Sequence, residues 1–78
     1  MSEELLRVCV VGAGALSTRR IYPYLGAAGA QLVGVCDLDL NKAERNARLF
    51  GGRPYSDARS MLDDLAPDAC FICIGPEA

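Results

Sequence analysis

The feature that most constrains this chain is a glycine turn between two apolar segments. The run from Val8 to Val11 is apolar, and Gly12 and Gly14 follow it directly. A second apolar run, residues 31–36, ends at the acidic residue Asp37. A buried strand, a glycine turn, a helix and a second strand that delivers a carboxylate are the parts with which proteins bind the phosphates and ribose of a dinucleotide. The sequence therefore predicts a nicotinamide-dinucleotide site.

Three apolar segments and the short segment 53–55 alternate with three amphipathic segments along the 78 residues. We predict strands over residues 5–11, 31–37, 53–55 and 69–74. The predicted helices begin near Ala15, after Asp39, and after Ser56 or Asp57, because short polar side chains cap helices. Alternating strands and helices with short links form parallel sheets with right-handed crossovers. The predicted fold class is α/β, a partial Rossmann-type doubly wound parallel sheet with strand order 3-2-1-4.

The first predicted helix contains a proline. Pro23 lacks the N–H that would bond to the carbonyl of Arg19, so we expect a kink there, with Pro23 facing solvent. The helical period places Tyr22 on the outer side. The predicted inner stripe consists of Ser17, Ile21, Tyr24, Leu25 and Ala28.

The length bounds the domain organisation. A complete dinucleotide fold combines two mononucleotide-binding halves and needs roughly twice this length. We therefore expect residues 1–4 to be a tail and residues 5–78 to be the N-terminal part of a dinucleotide-binding domain, with the rest of that domain and a substrate domain absent from this chain. Strand 4 is entirely apolar and would lie at the sheet edge, where we expect a further strand of a longer protein to cover it.

The glycine turn has a physical reason for each position. Gly12 permits a tight turn, and Gly14 lacks a Cβ, so that the backbone can approach a pyrophosphate. The third small-residue position is Ser17, and the N–H groups around Ala15 and Leu16 open the helix toward the phosphate. The cofactor-binding residues predicted in this turn are Gly12, Ala13, Gly14, Ala15, Leu16 and Ser17. A plain turn, or a site for another nucleotide-type ligand, is the alternative interpretation.

Asp37 stands 20 residues after Ser17 (37 − 17 = 20). A carboxylate at the end of strand 2 accepts hydrogen bonds from the adenosine ribose and repels the extra phosphate of NADP, so NAD is the predicted cofactor and NADP the less favoured one. Leu38 is predicted to lie against the adenine, and Ile74 and Gly75 to lie beside the cofactor at the end of strand 4. The alternatives are a loop or capping role for Asp37 and a strand end without a ligand at Ile74 and Gly75.

Composition excludes several classes. The net charge is −2 and no basic run occurs, which argues against nucleic acid and anionic membrane surfaces. No apolar stretch reaches the roughly 20 residues of a membrane span, and the acidic N-terminus lacks the cationic start of a secretory signal, so we expect a cytoplasmic protein. The four cysteines lie in apolar runs and histidine is absent, which favours buried thiols over a metal or redox site. Cys70 and Cys73 should point to opposite faces of their strand. No residue set resembles a catalytic base, nucleophile or metal site.

Several short motifs together are similar to one family. Their order and spacing resemble the N-terminal domain of the glucose–fructose oxidoreductase and inositol dehydrogenase (Gfo/Idh/MocA) family over nearly all of the chain. The matching segments are 7–14, 21–25, 32–37, 42–44, 49–51, 55–57, 61–62 and 68–69. Two positions depart from the family pattern: Ser17 occupies the third glycine position, and Ile74-Gly75-Pro76 stands where Thr-Pro-Pro is common.

The resemblance implies an NAD(P)-dependent oxidoreductase that transfers a hydride between a nicotinamide cofactor and a secondary alcohol or ketone, often a sugar or cyclitol. It also implies a second domain that contacts this small-molecule substrate and forms a homo-oligomer. The family's Lys in a Glu-Lys-Pro motif and its downstream His are not in this chain, so no catalytic residue is assigned. Two other readings remain open: a non-enzymatic NAD(H)-sensing domain, and a methyltransferase, although the latter usually has an acid where this chain has Val10 and Val11.

Overall fold

The computed structural model describes residues 5–73, without the side chains of residues 15–17. Strands and helices alternate as the sequence predicts. The elements are β1 (Leu6–Val11), α1 (Ala15–Arg20), a 3-10 helix (Tyr22–Tyr24), β2 (Ala30–Cys36), α2 (Leu40–Phe50), β3 (Arg53–Tyr55), α3 (Ala58–Leu65) and β4 (Ala69–Ile72). The predicted bounds of β1, β2 and β3 hold to within one residue. The predicted fourth strand extends to residue 74, outside the described residues, whereas β4 ends at Ile72.

The four strands form one parallel sheet in the order β3-β2-β1-β4, which confirms the predicted topology. The carboxyl ends of parallel strands lie at the same edge of a sheet. In the observed register Val11 of β1 lies beside Cys36 of β2 and Ile72 of β4. The loops that follow these three strands are therefore neighbours, although they are far apart in the sequence.

Helices cover both faces of the sheet. On one face Val8 and Val10 pack with Tyr22, Leu25 and Ala43, so that α2 and the 3-10 helix enclose one apolar cluster. On the other face a second cluster contains Cys9, Cys36 and Met61, the last from α3. Burying an apolar side chain of this size stabilises a fold by roughly 1.5–3 kcal/mol. The doubly wound arrangement predicted from the sequence is confirmed.

The segment around Pro23 differs from the prediction. Helix α1 ends at Arg20 and the chain continues as the 3-10 helix, rather than as one kinked helix. The shorter period of a 3-10 helix rotates the side chains relative to an α-helix. As a result Tyr22, predicted outside, is only 2% exposed, and Tyr24, predicted inside, is 64% exposed. Ala28, also predicted inside, is exposed, whereas Pro23 faces solvent and Leu25 is buried as predicted.

Both predicted acidic caps are present. Asp39 caps α2 by accepting a hydrogen bond from the amide of Asn41 at 3.0 Å. Asp57, rather than Ser56, caps α3, where its carboxylate accepts from the hydroxyl of Ser60 at 2.8 Å and from the Ser60 amide at 3.3 Å. These donors hold the pKa of Asp57 below its usual value. Each cap satisfies a backbone donor that the first turn of a helix leaves without an intrahelical acceptor.

The cysteines behave as apolar core residues. Cys9 and Cys36 are buried, and Cys70 and Cys73 are half-buried. Cys70 packs with the Cys9 cluster and Cys73 with the cluster on the other face, which confirms that they point to opposite sides. Burial raises the pKa of the Cys9 thiol to about 11. A thiol with such a pKa is protonated and unreactive at neutral pH.

Strand β4 pairs with β1, and on its other side no further strand lies within residues 5–73. Two large apolar side chains of β4 are also open to solvent, Phe71 at 40% exposure and Ile72 at 66%. An uncovered apolar edge strand is a template for pairing with another strand. The predicted placement of strand 4 at the edge is thus confirmed for the described part of the chain.

Candidate functional site

The glycine turn, residues 12–14, lies where β1, β2 and β4 end. The amide of Gly12 donates to the carbonyl of Cys36 at 2.7 Å, and the amide of Cys73 donates to the carbonyl of Val11 at 2.8 Å. These two bonds tie the start of the turn to the ends of both neighbouring strands. The turn is therefore fixed at the edge of the sheet where open α/β folds bind their ligands.

Gly12 is a glycine for reasons internal to the chain. Its φ is +114°, a conformation that residues with a side chain rarely adopt. A Cβ at this position would also overlap the backbone carbonyl of Cys73. The fold itself therefore requires glycine at position 12, with or without a ligand.

Gly14 has no such internal reason. Its φ lies outside the left-handed region, and a Cβ added to it would meet no atom within 4 Å. The packing of the described residues would accept alanine at this position. The missing side chain leaves open space directly before α1, and a second molecule can approach the backbone closely there.

The carboxylate of Asp37 connects the end of β2 to the glycine turn. Its Oδ2 accepts a hydrogen bond from the amide of Ala13 at 2.8 Å, and its Oδ1 accepts from the amide of Asp39 at 2.8 Å. A carboxylate has about four acceptor positions on its two oxygens, so these bonds leave capacity for ribose hydroxyl donors. Asp37 thus has a structural role in the loop and stands next to the turn, as a ribose-binding acid must.

Two side chains hold the turn from its other side. The hydroxyl of Tyr22 donates to the carbonyl of Gly12 at 2.8 Å, and Nη2 of Arg45 donates to the carbonyl of Ala13 at 2.8 Å. Neither contact is predicted by the sequence. The helical period puts Tyr22 outside, and no local pattern marks a residue of α2 as a partner of the turn. The break at Pro23 is a signal that could have revealed Tyr22, but the 32-residue separation of Arg45 from Ala13 gives no local signal.

Asn46 links these residues to the core. It is fully buried, and its Nδ2 donates to the Thr18 hydroxyl at 2.9 Å, while its Oδ1 accepts from Nε of Arg45 at 3.2 Å. Burial raises the pKa of Tyr22 to about 12, although a hydrogen bond with Asn46 partly opposes the shift. The Tyr22 hydroxyl is therefore a protonated donor at neutral pH. Among the described side chains of residues 5–14 and 18–73, no buried polar atom lacks a hydrogen-bond partner.

The sequence of this chain matches the profile of a known protein family. The profile described as an oxidoreductase family with an NAD-binding Rossmann fold (Gfo/Idh/MocA) matches residues 6–78. The chain belongs to this family. The resemblance seen in the sequence motifs is thereby confirmed, and the glycine turn with Asp37 lies within the segment that matches the NAD-binding Rossmann fold of this family.

Three relatives illustrate the family. The structure of myo-inositol dehydrogenase from Lactobacillus casei, in complex with NAD(H) and myo-inositol, is 33% identical over 88% of this chain and 21% of that one, with a TM-score of 0.75. The structure of KijD10, a 3-ketoreductase from Actinomadura kijaniata, in complex with NADP, is 25% identical over 90% of this chain and 23% of that one, with a TM-score of 0.81. Glycosyl hydrolase family 109 protein 1 from Akkermansia muciniphila is 30% identical over 90% of this chain and 17% of its own length.

The chain spans only about a fifth of the length of the curated relatives it matches, 21% and 17% for the first two. The similarity to the Gfo/Idh/MocA family thus concerns part of the length of these proteins, within the NAD-binding Rossmann fold. The names of these relatives include a dehydrogenase, a ketoreductase and a glycosyl hydrolase, so membership alone does not specify the reaction of the whole protein.

The remaining predicted site residues have mixed positions. Leu38 is 93% exposed and follows Asp37 directly, so its side chain is open to a ligand, and its contact with adenine stays a prediction. The backbone of Ala15, Leu16 and Ser17 forms the first turn of α1. Ile74 and Gly75 lie outside the described residues, and their role also stays a prediction.

The described residues contain neither a metal-binding cluster nor a helix that could cross a membrane. Between Leu5 and Cys73, no cluster of three or more His, Cys, Asp or Glu side chains has a geometry that could bind a metal ion. In the same part of the chain, none of the helices has the length and apolar character needed to cross a bilayer.

Proposed function

We propose that this chain binds the adenosine and the pyrophosphate of a nicotinamide dinucleotide. It does so as part of an enzyme that transfers a hydride between this cofactor and a secondary alcohol or ketone. The hydrogen bond between Asp37 and the amide of Ala13 carries the proposal. It brings the ribose-binding acid and the pyrophosphate-binding turn, 24 residues apart, to one place. A dinucleotide needs these two groups side by side.

Each predicted residue has a role in this arrangement. The pyrophosphate lies over the turn against the open space at Gly14, and the ribose hydroxyls donate to Asp37. The residues proposed to line the cofactor are Gly12, Ala13, Gly14, Ala15, Leu16, Ser17, Asp37, Leu38, Ile74 and Gly75. When bound, the nicotinamide supplies the hydride chemistry, and the protein supplies binding and orientation.

The substrate follows from the relatives rather than from this chain. A sugar or cyclitol is supported by the match to a dehydrogenase in complex with myo-inositol. We propose that residues 5–78 are the N-terminal part of the dinucleotide-binding domain in a longer protein. The acid–base residue, the substrate contacts and a homo-oligomer interface then come from parts of that protein outside this segment.

NAD is the proposed cofactor in preference to NADP. In this proposal a 2′-phosphate on the bound ribose would lie beside the carboxylate of Asp37, and the two negative charges would repel one another. The relatives include a structure in complex with NAD(H) and one in complex with NADP, so the family accommodates both. The preference of this chain therefore depends on its own residues at the end of β2.

We also propose a cytoplasmic location. The cysteines Cys9, Cys36, Cys70 and Cys73 are all free thiols, and a reducing compartment keeps thiols in this state. Fractionation of cells that express the full-length protein tests the location, and light scattering of the purified protein tests the oligomer.

The cofactor proposal is tested at Gly14 with Gly26 as the matched control. Neither glycine has a positive φ, and a Cβ on either would meet no atom within 4 Å. We expect G14A in the full-length protein to fold normally and to bind NADH at least about tenfold more weakly, about 1.4 kcal/mol, because the methyl group fills the space of the pyrophosphate. G26A should bind NADH like the unmodified protein. Equal NADH affinity of G14A and G26A, measured by fluorescence titration, would contradict the proposal.

A further inference from the structure

The peptide group between Gly12 and Ala13 is held at both ends. Its carbonyl accepts from the hydroxyl of Tyr22, and its N–H donates to the carboxylate of Asp37, both at 2.8 Å. In a trans peptide the C=O and N–H point in opposite directions within one rigid plane. Two bonds on opposite sides therefore prevent this plane from rotating.

The carbonyl of the next peptide group, between Ala13 and Gly14, accepts a hydrogen bond from a charged donor. Nη2 of Arg45 lies 2.8 Å from the carbonyl oxygen of Ala13, and a hydrogen bond from a guanidinium is stronger than one between neutral groups. The hydroxyl of Thr18 reaches the same carbonyl only at 3.5 Å. Of these two donors, Arg45 thus makes the stronger bond to this carbonyl, whose peptide plane leads into the proposed pyrophosphate site.

Arg45 is itself oriented by a buried group. Its Nε donates to Oδ1 of Asn46 at 3.2 Å, and Asn46 is fixed in turn by its bond to the Thr18 hydroxyl. Such a series of hydrogen bonds holds the flexible Arg side chain in one conformation, which lowers the entropy lost when its Nη2 binds the carbonyl. The series of hydrogen bonds therefore runs from Thr18 and the buried Asn46 through Arg45 to the Ala13 carbonyl in the glycine turn.

We propose that Arg45 is a positioning residue for the dinucleotide: it fixes the peptide plane between Ala13 and Gly14 in the orientation that receives the pyrophosphate. The inference rests on the proposed function and deepens it. Because Arg45 acts through the Ala13 carbonyl and not through the ribose, its effect is the same for NAD and NADP. Without the hydrogen bond from Arg45, the turn must be ordered by the ligand itself, and the entropy lost in this ordering weakens binding.

Arg48 provides the matched control. It lies in the same helix, is exposed, and removing it changes the net charge by the same amount. In the full-length protein we expect R45Q to weaken the binding of both NADH and NADPH about tenfold, with the ratio of their dissociation constants unchanged. R45K should recover most of the affinity, since an ammonium group also donates to a carbonyl. R48Q should bind both cofactors like the unmodified protein.

A second measurement does not require the cofactor. Hydrogen exchange followed by mass spectrometry should show faster exchange of the peptide that contains residues 12–15 in R45Q than in R48Q, with unchanged exchange in β1. This comparison remains informative if the affinity of R45Q is too low to measure. Equal exchange in the two variants would overturn the inference.

The binding outcomes separate the inference from the proposed function. Binding of both cofactors by R45Q at the unmodified affinity would overturn the positioning role alone. Loss of NADPH affinity with NADH unaffected would also overturn it, because Arg45 would then act as a charge on the 2′-phosphate. An unmodified protein that binds neither cofactor would instead overturn the proposed function.

Discussion

The backbone carbonyl of Cys73 occupies the space that a side chain on Gly12 would need. The two residues are 61 positions apart in the sequence (73 − 12 = 61), and the amide of Cys73 is bonded to Val11 next to this contact. The close approach brings β4 against the start of the glycine turn. Position 12 is thus a structural requirement of the sheet as well as part of the proposed binding site.

Substituting Gly12 should therefore damage the fold. We expect G12A to lower the free energy of unfolding by at least about 1–3 kcal/mol, the usual cost of a strained backbone, with the contact to Cys73 adding to it. The midpoint of urea unfolding of the full-length protein measures this effect. G26A is the control, since position 26 has neither a positive φ nor a close neighbour. A G12A midpoint equal to that of G26A would contradict the structural role assigned to Gly12.

The charge of Asp37 should set the cofactor preference. D37N keeps an oxygen acceptor for the amide of Ala13 but removes the negative charge that repels a 2′-phosphate. We expect the preference for NADH over NADPH to shrink about tenfold in D37N, equivalent to about 1.4 kcal/mol. The two dissociation constants, measured by fluorescence titration of the full-length protein, give this ratio.

The control for this substitution is D39N. It removes the same charge two residues away, and asparagine caps helices about as well as aspartate, so α2 should be unaffected. D39N should keep the original ratio. Tighter binding of NADPH than NADH by the unmodified protein, or the same ratio in D37N and D39N, would refute the role assigned to Asp37.

The buried thiol of Cys9 should make stability depend on alkaline pH. Its pKa is about 11 in the fold, against 9.0 for an ordinary thiol, because burial penalises the thiolate. The folded state therefore binds this proton more tightly than the unfolded state. The resulting stability is fully present below pH 9 and is lost as the pH rises from 9 through about 11, by up to about 1.4 kcal/mol per pH unit.

Urea unfolding of the full-length protein between pH 8 and 11 measures this loss. C9A should show a shallower decrease over that interval than the unmodified protein, whatever its stability at pH 8. Iodoacetamide provides a second check: at pH 8 Cys9 should react far more slowly in the folded protein than in urea. Equal slopes together with rapid modification of folded Cys9 would contradict the raised pKa.

The part of the fold that follows from local sequence was predictable. The strand order depends on alternating apolar and amphipathic segments, and the caps at Asp39 and Asp57 depend on residue types at helix starts. That Asp37 lies next to the glycine turn follows from the rule that parallel strands have their carboxyl ends at one edge of the sheet. These features need only short-range patterns and topology.

The side chains that hold the glycine turn in place were not predictable in the same way. They are Tyr22, Arg45 and Asn46. Tyr22 was placed on the wrong side because the helical period was extended through Pro23, where the structure changes to a 3-10 helix. Asn46 is buried although amides usually lie outside, and its burial is explained only by its contacts with Thr18 and Arg45. The contact of Arg45 with Ala13 depends on how α2 packs beside α1, which no periodicity in either helix specifies.

The contacts around Gly12 also affect the order in which the protein becomes competent to bind. Tyr22 and Asp37 can contact the turn once β1 and β2 have formed. Cys73 can do so only when β4 has paired with β1. A contact between such distant residues requires the closure of a long loop, which costs more entropy than closing a short one. A nascent chain that has made the first β-α-β unit therefore already contains the glycine turn, yet it lacks the contact between Gly12 and Cys73 that completes the turn.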